Sequence, residues 1–171
     1  MPLLIERLSK IALVSAIGLF LFIVTLNNLI DYDSNFEFVK HVLSMDTTFP
    51  GNTLRWRALT SPLIHHVFYA GIILWEGSST LAIAYAAFRL WSVRNASHED
   101  FQSAKGWVVG ALCWNLFLWF VAFTSIGGEW FVMWQSSVWN GQQPAFRMFT
   151  SILLVLLFVR MPETLDNKSR P

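Results

Sequence analysis

The chain has 171 residues, 54% of them hydrophobic and 13% charged, with 9 Trp and 15 Phe. A soluble domain carries about 25% charged residues, and a net charge of +1 gives no grip on a nucleic acid or other polyanion. Cys113 is the only cysteine, which excludes an intrachain disulfide. The apolar residues gather into long runs, as in a chain whose solvent is lipid, and the length suits one integral membrane domain over 1–171.

Residues 1–10 carry Glu6, Arg7 and Lys10, and an apolar run follows over 11–30. A secretory signal has an apolar core of about 7–15 residues and a small-residue cleavage site. This run is longer and ends in LNNLIDYDS, so it is expected to be retained as a first transmembrane helix. Residues 31–62 are the longest polar stretch. Within it, Asn35–Met45 sets Phe36, Val39, Val42 and Leu43 on one face of a short amphipathic helix. Pro50–Gly51–Asn52 signals a turn, and Trp56, between Arg55 and Arg57, suits the headgroup layer.

The second span, 63–90, carries Glu76 near its middle. Residues 92–105 read as a polar loop and 107–126 as the third span. The next loop, 127–142, holds Trp130, Trp134 and Trp139 beside Gln135, Asn140 and Gln142, with no Lys or Arg. The fourth span is placed at 143–160, but its uncharged core Met148–Val159 has only 12 residues. That is about 18 Å of helix against about 30 Å of hydrocarbon. The helix must therefore reach back towards Gly141, which draws Arg147 inside the hydrocarbon boundary. The tail beyond Arg160 is polar and reads as frayed.

Eight Lys and Arg side chains fall on the side of the termini, and three (Lys40, Arg55 and Arg57) on the other. The positive-inside rule then puts both termini in the cytoplasm of a plasma (inner) membrane protein. The loops 31–62 and 127–142 face outward as a cap. Counted from Arg89 and Arg160, Glu76 and Arg147 each lie 13 residues back, so both sit roughly 20 Å above the inner boundary. Asn115 and Thr25 fall near the same level. The expectation is one polar layer, with Glu76 paired to Arg147. A lone arginine at that depth costs about 2.5–3.5 kcal/mol, which pairing relieves and snorkelling also relieves. Glu76, Thr80 and Ala84 are expected on one packed face of the second helix, and Ser78, Ala82 and Ala86 on the opposite one.

An ionisable residue inside a membrane helix is a functional hypothesis by default. Glu76 is read as a proton carrier, a ligand anchor or a partner-binding charge, against the plainer reading of a structural ion pair. Adjacent His65 and His66, with His41, Asp46 and Glu129 as companions, raise the question of a metal. Neighbouring helical residues point about 100° apart and rarely hold one ion, so neither metal nor cofactor is expected. All four histidines also lie outside the span centres, which argues against a bis-His haem. The loop tryptophans suit an interfacial belt, while Gln135, Asn140, Gln142 and Gln143 beside them suit either a hydrogen-bonded lid or a recognition surface. No G-x-S-x-G, H-E-x-x-H, P-loop or C-x-x-C motif occurs, so no enzyme is expected.

Three segments, FVKHVLSMDTTFP (Phe38–Pro50), LWEG (Leu74–Gly77) and GGEWFVMWQSSVWNGQQPAFR (Gly127–Arg147), together resemble one family. It is domain of unknown function 2165, the predicted small integral membrane proteins of bacteria. The resemblance spans nearly the whole chain and implies a four-helix integral membrane protein, without supplying an activity or a catalytic residue. The sequence thus leads to an all-α bundle of four transmembrane helices, N-in and C-in. Its candidate ligand- or partner-binding residues are Glu76, Arg147, Asn115, Glu129, Trp130, Trp134, Gln135, Trp139, Asn140 and Gln142. The occupant expected there is a partner membrane protein, a second copy of the chain or a small amphipathic ligand. An oligomeric proton-coupled carrier using Glu76 and a metal- or quinone-linked redox subunit are the alternatives.

Overall fold

The computed structural model describes residues 2–163. Among these the chain is helical, with no strand. Helix α1 runs Pro2–Ile30, α2 Tyr32–Ser44, α3 Pro62–Ser92, α4 His98–Phe117 and α5 Gln142–Arg160. A π-helical segment, Leu118–Trp130, prolongs α4. Four helices are long and apolar enough to cross a membrane: Leu3–Ile30, Pro62–Ser92, His98–Trp130 and Gln142–Arg160.

Local chemistry sets most of these ends. Ser61 precedes Pro62 at the first turn of α3, where the missing proline N–H is no loss. The stretch 92–105, expected as loop, is helical from His98 onward. The Ser97 side chain caps α4 by accepting from the Asp100 backbone N–H, and Glu99 and Asp100 lie in the first turn, where the helix dipole favours acids. At the other end, the Phe131 N–H bonds back five residues to Ile126 O, and the Thr124 and Ser125 hydroxyls follow the same spacing onto Trp119 O and Phe120 O, each at 3.0 Å. The third span therefore continues through Gly127, Gly128, Glu129 and Trp130, which the sequence reading gave to the loop.

Contacts run α1 to α3, α3 to α4, α4 and the π segment to α5, and α5 back to α1, closing a four-helix bundle of alternating direction. Each helix buries residues seven apart: Arg7, Val14, Leu21 and Asn28 on α1; Tyr69, Glu76, Ile83 and Leu90 on α3; Phe101, Val108 and Asn115 on α4; Ala145, Ile152 and Val159 on α5. A seven-residue repeat keeps one seam facing its neighbours when helices wind gently left-handed. This phase corrects the expected faces of α3. Ser78 and Ala84 are exposed, and the second buried row is Ser79 and Ala86. Across α3 and α4, Trp75 and Trp114 stack with centroids 4.8 Å apart. Trp75 Nε1 donates to Trp114 O and Trp114 Nε1 to Ser78 Oγ, so the two indoles lock one interface.

At the end of the bundle that carries the termini, the chain after α5 folds inward. Glu163 is buried, which corrects the expectation of a tail frayed from Arg160 onward; the remainder of that tail lies outside the described residues. Its Oε1 accepts from Lys10 Nζ at 2.6 Å and from Lys105 Nζ at 2.5 Å, and its Oε2 accepts from Gln102 Nε2 at 2.7 Å. Arg7 donates to the carbonyls of Arg94, Ala96 and Ser97 and lies 4.6 Å from the Phe101 ring centroid, holding the α3–α4 turn against α1.

At the opposite end, α2 lays Val39, Val42 and Leu43 against Tyr69, Phe131, Val132 and Met133 in a second apolar cluster. The two long loops meet there. Thr47 Oγ1 donates to Ser136 Oγ at 2.8 Å, and the Phe49 N–H to Gln135 Oε1 at 3.2 Å. Arg57 donates to Trp130 O and sits 4.4 Å from the Trp130 ring centroid. Gly51 turns the first loop at φ +78°, a left-handed conformation that costs glycine little. Gly141 is needed for space: a Cβ there would lie 2.7 Å from Phe38 Cζ, which is closer than such contacts allow.

Candidate functional site

The polar layer exists, with different members from those expected. Glu76, 2% exposed, takes a hydrogen bond on Oε2 from Asn28 Nδ2 at 2.6 Å. Asn28 Oδ1 in turn accepts from Asn35 Nδ2 at 2.6 Å and from Tyr69 OH at 3.3 Å. The network ties α1, α2 and α3 at one level and fixes the Asn28 amide with its nitrogen towards the carboxylate. One turn along α3, Thr80 Oγ1 lies 3.3 Å from Thr25 Oγ1, so Thr25 belongs to the layer as its depth suggested.

Arg147 does not. It is exposed on α5, and among the described residues no ion pair joins it to Glu76. The reason is angular. The buried seam of α5 passes through Ala145, and Arg147, two residues on, points about 200° away from it. Equal depth gave equal level but opposite bearings. The expected consequence is additivity. Glu76→Gln and Arg147→Met, combined in a double-mutant cycle on equilibrium unfolding in micelles, should sum to within about 0.5 kcal/mol. A larger coupling would restore the pair.

Asn115 is fully buried. Its Oδ1 accepts from Trp119 Nε1 at 3.2 Å, while its Nδ2 finds no hydrogen-bond partner among the described residues. The loop candidates lie apart from Glu76, at the end of the bundle. Glu129, Trp130, Trp134 and Asn140 are exposed, and Gln135 and Gln142 are half-buried. Trp139 stacks on His41 at 4.7 Å. Gln142 packs against Gly128, where a Cβ would lie 2.8 Å from its Nε2. The histidines go separate ways. His65 is 2.7 Å from Leu59 O, His66 is 2.9 Å from Tyr32 OH, and His41 is 2.7 Å from Asp46 Oδ2. Among the described residues, no three His, Cys, Asp or Glu side chains converge as a metal site requires.

Two cavities flank the layer. One, of about 250 Å³, is lined by Asn28, Asn35, Tyr69, Glu76 and Trp119, and reaches Gly141 and Pro144. The other, of about 380 Å³, is almost wholly apolar and lies between α2, α3 and the π segment, with Val42, Val67, Gly71, Trp75, Ile126 and Phe131 in its walls. Phe38, Val39, Ile72 and Phe123 line both. Together they fall in the range of about 300–1,000 Å³ usual for small-molecule sites. Asn28, Asn35 and Tyr69 join the site although none is among the residues expected from sequence. Asn28 stands at the seven-residue spacing of Arg7, Val14 and Leu21, and that signal was available to find it.

A bundle of four apolar helices with a buried carboxylate and adjoining polar and apolar cavities defines a small multi-pass integral membrane protein. The chain belongs to the family of predicted small integral membrane proteins, domain of unknown function 2165, whose model matches residues 6–162. Neither a curated protein nor a solved structure matches it.

Proposed function

We propose that this chain is a non-enzymatic protein of the plasma (inner) membrane that holds a small amphipathic ligand in its outer half. The polar part of the ligand would sit beside Glu76 and Asn28, and its apolar part in the adjoining cavity beneath α2. The observation that supports this most directly is the shared wall of Phe38, Val39, Ile72 and Phe123, which sets a polar and an apolar space back to back. Of the occupants left open by the sequence, a partner protein, a second copy or a small ligand, these half-open cavities of small-molecule size favour the ligand. The Lys/Arg bias favours cytoplasmic termini, which makes the joined loops an outward cap over the site.

Gly71 offers the test. It lines the apolar cavity, and a Cβ there meets nothing within 4 Å, so a larger side chain fills the space without a first-atom clash. Protein purified in mild detergent is expected to yield a retained small amphiphile on solvent extraction and mass spectrometry, at close to one per chain. Gly71→Phe should lower that yield several-fold while the helical signal is kept. Recovery of bulk membrane lipid alone, equal in the two proteins, would count against the reading.

A further inference from the structure

Glu76 is a buried carboxylate whose only described hydrogen bond is the one from Asn28. Among the described residues its second oxygen, Oε1, receives no hydrogen bond, and no cationic side chain stands within ion-pair distance of it. Among the described residues, the other strongly buried charged side chains find partners inside the fold: Arg7 donates to three carbonyls, and Lys10 and Lys105 meet on Glu163. At membrane depth an uncompensated charge is costly and is usually paired. The side chain that should have paired with it, Arg147, faces away.

The rest of the cavity answers to the same charge. Its walls carry the rings of Phe38, Tyr69, Trp119 and Phe123 and no Lys or Arg. Trp119 is held in place by Asn115 through its indole N–H, and it stacks on Phe123 with centroids 4.9 Å apart. Aromatic faces are electronegative and attract alkylated ammonium groups, best when water is excluded. A carboxylate oxygen in a cavity lined by four rings suits a weakly hydrated monocation. It repels an anion and gives a neutral alcohol only a hydrogen bond.

From this geometry we infer that the polar cavity is a recognition site for the head of a cationic amphiphile, an alkylated or quaternary ammonium group. The inference rests on the ligand-binding reading above and names the charge of the ligand. The carboxylate supplies the counter-charge, the aromatic lining of Phe38, Tyr69, Trp119 and Phe123 supplies the π surface, and the network through Asn28 holds the carboxylate at the cavity wall. The alkyl part of the ligand takes the adjoining apolar cavity.

The test uses the full chain in nanodiscs of zwitterionic lipid and three probes of equal chain length: hexyltrimethylammonium, 1-hexanol and hexanoate. Titration calorimetry is expected to give one site per chain for the cation, with affinity at least about tenfold above that for hexanol and no binding of hexanoate. Glu76→Gln keeps the volume of the side chain and should remove that tenfold advantage while hexanol binding stays. Trp119→Leu, a second variant on another helix, should weaken the cation more than the alcohol. Equal affinity for cation and hexanol in the unmodified protein, or a cation affinity unmoved by Glu76→Gln, overturns the cationic site and leaves an amphiphile pocket without charge preference. Failure of all three probes to bind overturns both readings.

Discussion

Glu163→Gln is expected to destabilise the bundle by about 3 kcal/mol, the low end of the cost of breaking a buried ion pair by removing one partner. The carboxylate side chain is fully buried, and so is that of Lys10; Lys105 is 6% exposed. The new amide would keep one acceptor oxygen for two ammonium groups. It would also turn a donor towards Gln102 Nε2, which now donates to the carboxylate. Glu6, 3.7 Å from Lys10 and partly exposed, compensates some of the loss, hence the low end of the range. Adding Lys105→Met should recover part of it, because the second change removes the charge that the first strands. Equilibrium unfolding in micelles measures both. A single-variant loss below about 0.5 kcal/mol would show that the cluster contributes no more than an exposed pair.

The same carboxyl makes stability depend on pH. Burial pushes its proton affinity up, but hydrogen bonds from Lys10 and Lys105 and their charges outweigh that and hold the carboxyl below its ordinary range. A folded value below the unfolded one means a contribution fully present above the unfolded value of about 4.3, and lost as pH falls through the folded value beneath it. The difference in stability between the parent and Glu163→Gln should therefore be flat near neutrality and shrink below about pH 4.

Why the sequence yielded the helices but misassigned the pair is a matter of coordinates. Hydropathy and length carry information about depth: Thr25 meets Thr80 one turn from Glu76, and Asn115 is buried on the neighbouring helix. Bearing around the helix axis is carried by phase. The seven-residue seams through Tyr69, Glu76, Ile83 and Leu90, and through Ala145, Ile152 and Val159, put Glu76 inside and Arg147 outside. The phase of α1 would likewise have named Asn28. In an apolar helix the usual contrast of polar and apolar faces is missing, because lipid and core both take leucine, so only the rare polar residues mark the seam. Asn35 and Glu163 were harder. Each lies just outside a span, and the contact it makes, Asn35 with Asn28 and Glu163 with Lys10 and Lys105, depends on where the neighbouring segment folds back, which no local pattern states. The π segment was also hidden, since Leu118–Ile126 reads as ordinary apolar helix. Its wider turn carries Ala122, Phe123, Ile126 and Gly127 into the wall of the apolar cavity, in keeping with the frequency of π turns at functional sites.

Asn28 is then the residue on which the layer turns, and Asn28→Leu is expected to cost about 2–4 kcal/mol. Three hydrogen bonds end on its side chain, and one of them is the sole described donor to Glu76. Leucine fills nearly the same volume, so the loss is polar rather than steric. The carboxylate keeps its burial without a donor, Asn35 loses its acceptor, and Tyr69 is left with the main-chain carbonyl of residue 28 alone. Glu76→Gln alone should be mild, because an amide oxygen can still accept from Asn28. The decisive variant is Asn28→Leu with Glu76→Leu. Replacing both partners of a buried hydrogen bond by apolar groups is often close to neutral, so the double change should be more stable than Asn28→Leu alone. Unfolding in micelles would then give a coupling of at least about 1 kcal/mol between two positions on different helices. Strict additivity would mean that the carboxylate does not depend on α1, and the orientation that presents its free oxygen to the cavity would need another source.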